Sequence, residues 1–143
     1  MALPDPAAGL VISYDYLWKD QAEAGETSGR KTRPCAVVLA IRQVEGGFRT
    51  YVAPVTHSDP SDPTAVLIPA SVKRRLGLDD KPSWIVTDQL NDFVWPGFDL
   101  RPISRNQPDT FAWGFLPEEL VAAVRVGIAT NRKRRQFSTV PRD

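Results

Sequence analysis

Residues Arg33–Ser58 read RPCAVVLAIRQVEGGFRTYVAPVTHS, and most other assignments hang on them. From Pro34 to Ile41 the chain is almost continuously apolar, the pattern of a central strand covered on both faces. Pro34 stands at its first position, where a missing N–H costs little. Gly46 and Gly47 then turn the chain into FRTYVAPV, a second run that Pro54 limits near its end. The two runs predict a β-hairpin. It stops abruptly at Val55, Thr56 and His57, and His57 is the only histidine in the chain.

Before the hairpin, GLVISYDYLW sets Ile12, Tyr14 and Tyr16 on one face and Ser13 and Asp15 on the other, the period of a half-buried strand. Between them, KDQAEAGETSGRKTR has no apolar period and predicts a long loop ending in the basic trio Arg30, Lys31 and Arg33. After the hairpin, HSDPSDP is a loop and TAVLIP a short strand. In ASVKRRLGL, Ser71 is the expected cap of one or two helical turns that Gly77 closes. SWIVTDQL and NDFVW predict two more short strands, ended by Pro96 and Gly97. Pro117, Glu118 and Glu119 open a helix in which Leu120, Val121, Val124 and Ile128 recur at helical spacing. Arg132 to Arg135 suit the negative end of its dipole. QFSTVPRD is expected to be a tail.

Short strands separated by turns, with one terminal helix, predict a mainly β fold: a small β-barrel with the helix packed against it. A length of 143 residues suits one domain, expected over 9–133 with short tails at 1–8 and 134–143. A net charge of +1 excludes the global field of a tail-type nucleic-acid binder, so an anionic partner must meet a local patch. The lone Cys35 excludes an internal disulfide, makes a thiolate metal site unexpected, and fits a small buried side chain. MALPDPAAG lacks the basic-then-apolar order of a leader, and no run reaches the roughly 18 apolar residues of a membrane span. A cytoplasmic protein with no membrane contact is the expectation.

RKTRPCAVVLA, then VAPVTHS, then SWIVTDQLNDFVW, then GFLPEEL before the last helix, resembles the PemK/MazF-like toxins of bacterial toxin–antitoxin pairs. The most specific pieces are Arg33-Pro34 opening an apolar strand and Pro54-Val55-Thr56 one hairpin later, with Asp88-Gln89 and the Gly114/Leu116 pair adding to them. The likeness runs from Gly9 to about Arg132. It implies an SH3-like β-barrel, a homodimer, and metal-independent cleavage of single-stranded RNA without any cofactor. It also implies neutralisation by a small acidic antitoxin, and active-site roles for Arg33 and Thr56.

The chemistry is coherent with those residue types. RNA carries its own nucleophile, the 2′-OH, so the protein need only orient it, remove its proton, stabilise the phosphorane and protonate the leaving oxygen. An arginine fork suits the phosphorane, and a threonine hydroxyl can anchor the scissile phosphate. Neither is a good base. His57 is the one side chain of a type that titrates near neutrality, and it is a candidate acid or base; the alternative is a loop histidine or strand-end cap. In regular strand geometry Thr56 and His57 point to opposite faces, so only a loop or bulge beginning at Thr56 would let both reach one site.

Asp88 is either a turn-initiating residue or a carboxylate that orients Arg33 or contacts a base. Arg33 itself has a structural alternative, a strand-edge ion pair with Asp15 or Asp88. Arg30, Lys31 and Gln89 are the substrate-binding candidates. Trp84, Trp95 and Trp113 are core or interface residues first, and one of them is a candidate for stacking on an unpaired base. The basic runs Lys73–Arg75 and Arg132–Arg135 serve either solubility or an anionic partner. A rival of another class uses the same barrel without catalysis, blocking a protein target as the gyrase-poisoning CcdB relatives do.

Overall fold

The computed structural model describes residues 4–29 and 31–143. In chain order its elements are β1 (Leu10–Tyr14), α1 (Lys19–Glu23), β2 (Arg33–Arg42), β3 (Phe48–Thr56), β4 (Val66–Leu67), α2 (Ala70–Leu76), β5 (Trp84–Ile85), β6 (Gln89–Trp95), β7 (Ala112–Phe115), α3 (Glu118–Lys133) and β8 (Ser138–Pro141). The hairpin forms as the glycine pair predicts: Cys35 faces Pro54, Arg42 faces Phe48, and both Gly46 and Gly47 take positive φ. β1 and then β7 extend the sheet on the far edge of β2. On the other edge of β3 lie β6 and β5, with β4 beyond β5 and β8 parallel to β6. The fold is mainly β, a curled sheet with three helices.

Alternation along the central strands feeds two cores. Val11, Ala36, Val38, Ala53 and Val55 face one way and meet Leu76, Leu116, Leu120 and Val124. Leu10, Ile12, Tyr14, Cys35, Val37 and Val52 face the other way and meet Phe93, Trp95 and Leu100. β1 is therefore buried on both faces and not half-buried; even Ser13 is buried, its hydroxyl directed to the Pro102 carbonyl at 3.4 Å. The proline-rich segment after Trp95 supplies that cover, hydrogen-bonding along β1 through Asp15 N–H to the Asp99 carbonyl and Arg101 N–H to the Ser13 carbonyl, each 2.9 Å. β2 is covered on both faces only from Cys35 to Val38; Leu39 and Ile41 are about half exposed.

Several expectations give way to the structure. The loop after Trp18 begins with the helical turn α1, whose Gln21 side chain accepts the Trp18 N–H at 3.2 Å. Helix α2 starts after Pro69 with no side-chain cap, so Ser71 is not its cap, whereas Gly77 closes it in the left-handed region at φ 81°. SWIVTDQL and NDFVW break elsewhere than expected: Val55 pairs with Ile85 and Val52 with Asn91, three steps on β3 against six on its partner. The surplus residues bulge out around Asp88.

The expected C-terminal tail forms β8. Arg142 behind it is buried, bound to Asp99 at 3.1 Å, the Asp15 carbonyl at 2.7 Å and Asn91 Oδ1 at 3.1 Å. Cys35 is buried and free, as expected. No helix among the described residues is long and apolar enough to cross a membrane.

Candidate functional site

The β2–β3 pair carries the site. The β2–β3 ladder ends with Cys35 facing Pro54, two residues short of Arg33 at the start of β2 and of Thr56 at the end of β3. Arg33 and Thr56 both line one cleft of about 700 Å³, with Trp18, Lys31, His57, Ser58, Lys73, Asp79 and Trp113 around it.

Arg33 pairs with neither Asp15 nor Asp88. Asp15 is taken by Arg101 at 3.0 Å and by the Thr32 hydroxyl at 2.7 Å. The Arg33 guanidinium lies over the Trp18 ring, 5.0 Å from its centroid, and one terminal nitrogen donates to the Val55 carbonyl at 3.3 Å. Its Nε is buried with no partner among the described residues. Burial lowers the Arg33 pKa, and the neighbouring Cys35 and Tyr16 oppose that effect. A guanidinium that lines the cleft and stays charged suits an incoming anion there.

Thr56 ends its strand in a tight turn: the Ser58 N–H donates to Thr56 Oγ1 at 3.1 Å, and the chain bends at His57 and Ser58. This turn lets His57 line the same cleft as Thr56, which regular strand geometry would forbid. His57 Nε2 lies 2.8 Å from Asp79 Oδ2. Asp79 Oδ1 in turn accepts Lys73 Nζ at 2.6 Å.

The remaining candidates fall elsewhere. Asp88 sits in the bulge, outside the cleft lining, with Oδ1 buried and unpartnered among the described residues. Burial and the charge of Asp62 push its carboxyl up, against its own backbone and Lys19. Gln89 is also outside the cleft and acts as a fastener, its Oε1 accepting the Lys19 N–H at 3.0 Å and the Tyr16 hydroxyl at 3.2 Å. Lys31 lines the cleft and is exposed; Arg30 lies outside the described residues. Trp95 is buried in the core, Trp84 is half-buried on β5, and Trp113 lines the cleft. Among the described residues no group of three or more His, Cys, Asp or Glu side chains is arranged to hold a metal ion.

Asp79, Lys73 and Ser83 escape a reading of the sequence alone. Asp79 follows a helix-closing glycine and reads as an ordinary turn acid, and Lys73 reads as solubilising charge. Only the fold brings them to His57. Neither a scan of protein-family models nor a search of curated proteins finds a match for this chain.

Proposed function

We propose that the protein is a toxin-type endoribonuclease of the PemK/MazF kind, cutting single-stranded RNA by attack of the 2′-OH on its own phosphate. The observation that carries this reading is that Arg33, at the start of β2, and Thr56, at the end of β3, line one cleft, with the guanidinium lying over the Trp18 ring. In that reading Arg33 binds the non-bridging oxygens as negative charge gathers on the phosphorane, and Thr56 anchors the phosphate. Lys31 meets a flanking phosphate, and Trp113 offers a face to an unpaired base. No metal or covalent intermediate is called for, since the substrate brings its own nucleophile. The curled, mainly β sheet with its long last helix supports the SH3-like barrel that this function uses. The reading further takes the active form to be a cytoplasmic homodimer held silent by a small acidic antitoxin.

The test is cleavage of a long single-stranded RNA in EDTA, with cut sites and end groups mapped. Arg33→Ala and Thr56→Ala are each expected to lower the rate by about 10² or more, with thermal midpoints near that of wild type. Thr56→Ser, which keeps the hydroxyl, should retain most of the activity. DNA of the same sequence should stay intact, because it lacks the 2′-OH. Folded wild type that leaves RNA uncut would favour the non-catalytic binding module instead.

A further inference from the structure

Lys73 lies on a charged helix, yet it is only 4 % exposed. An ammonium has three N–H donors, and three acceptors meet this one: Asp79 Oδ1 at 2.6 Å, Ser83 Oγ at 2.6 Å and the Lys81 carbonyl. Taking the Lys73 ammonium out of water carries a desolvation cost that its partners only offset, and Asp79 is itself exposed. The use of Lys73 therefore lies in what it holds. It fixes Asp79, whose Oδ1 also accepts the Lys81 N–H at 3.1 Å, and Asp79 presents its other oxygen to His57 Nε2.

Burial pushes the Asp79 carboxyl up, but the bond from Lys73, the Lys81 N–H and the charges of Lys73 and His57 outweigh it and keep it below the usual carboxylate range. Asp79 is then ionised wherever an imidazole titrates. Among the described residues, the other charged side chains lining the cleft with His57 are Lys31 and Arg33 from the segment entering β2 and Lys73 from α2.

We propose that His57 is the general base of this cleft, with Asp79 as its positioning residue and Lys73 as the lock on Asp79; the assignment rests on the nuclease reading above. A hydrogen bond from Nε2–H to Asp79 fixes the tautomer and leaves Nδ1, which has no partner among the described residues, as the acceptor. The proton of the 2′-OH passes to Nδ1 as the 2′-oxygen bonds to phosphorus. The bond from phosphorus to the 5′-oxygen breaks, its electron pair stays on that oxygen, and a solvent proton neutralises it. The products are a 2′,3′-cyclic phosphate and a 5′-hydroxyl, and the imidazolium returns its proton to solvent.

Two measurements on the full chain test this. In RNA cleavage, His57→Gln is expected to lower kcat by about 10²–10⁴ and to remove the change in rate between pH 5 and 8, where imidazoles ordinarily titrate. Asp79→Asn should lower kcat with KM little changed, and Asp79→Glu should recover part of the loss. Because the chain has one histidine, its imidazole proton resonance can be followed by NMR without ambiguity. Asp79→Asn should shift that resonance, through loss of the carboxylate that Nε2–H contacts at 2.8 Å. If that variant does not fold, the double substitution Lys73→Met, Asp79→Asn removes both charges of the pair and serves the same comparison.

Equal cleavage by His57→Gln and wild type overturns the base assignment and leaves Arg33 and Thr56 in place. An imidazole resonance unmoved by loss of the Asp79 carboxylate overturns the positioning role, whether or not RNA is cut. Absence of any cleavage by folded wild type overturns the nuclease reading and the base assignment with it.

Discussion

Asp88 illustrates how one side chain can be displaced from its expected role by a local irregularity. It stands in the bulge between β5 and β6, with one carboxylate oxygen buried and unpartnered among the described residues. Burial first, and the charge of Asp62 second, raise its pKa above the ordinary carboxylate value. A raised folded-state pKa means that ionisation is disfavoured by folding: the penalty is absent below the unfolded pKa and grows as pH rises through the folded one. Asp88→Asn should therefore raise the thermal midpoint at pH 7, and the gain should vanish near about pH 3, where both forms are neutral. Thermal scans at the two pH values check this. Arg33 and Thr56 behave differently: from the start of β2 and the end of β3, both reach one cleft.

Among the elements, α3 is the most completely specified by its own residues. Pro117 and two glutamates open it, and Leu120, Val124 and Ile128 pack on one core face. What fixes its approach to the sheet is Gly127. A Cβ there would lie 2.6 Å from the Thr64 carbonyl oxygen and 3.0 Å from Thr87 Cγ2, so backbone meets helix with no room for a methyl group. Nearby, Asn131 donates to the hydroxyls of Thr64 at 3.0 Å and Thr87 at 3.2 Å. Gly127→Ala should improve helix propensity yet still destabilise the protein, by about 1–3 kcal/mol from overpacking, as measured by urea denaturation. The same site remains open to view in the sequence only as a glycine inside a helical pattern, without the reason for it.

For the whole molecule, the decisive feature is the return of the C-terminus. β8 lies parallel to β6, and Arg142 reaches beneath β1 to Asp99, Asn91 and the Asp15 carbonyl, over the Tyr14 ring. Arg142→Ala leaves Asp99 and the Asp15 carbonyl without that donor, Asp99 being one-fifth exposed. It should cost about 1–3 kcal/mol, the penalty of unpaired acceptors, again read by urea denaturation. The hairpin, the last helix, the glycine at the end of α2 and the buried Cys35 were all legible in the residues, because each follows from local periodicity or from backbone freedom at glycine. Arg33 and Thr56 were legible only through their motifs, Arg33-Pro34 and Pro54-Val55-Thr56. By itself, then, the amino-acid order determined a mainly β chain with a long helix toward its end and two of the residues that line its cleft. The tertiary structure alone decided that the last residues form a strand, that Asp88 and Gln89 stand away from the cleft, and that Lys73 and Asp79 stand behind His57. Those outcomes depend on partners far apart in the chain, meeting through a sheet bulge, a parallel strand pair and a buried charge, none of which leaves a periodic trace in neighbouring residues.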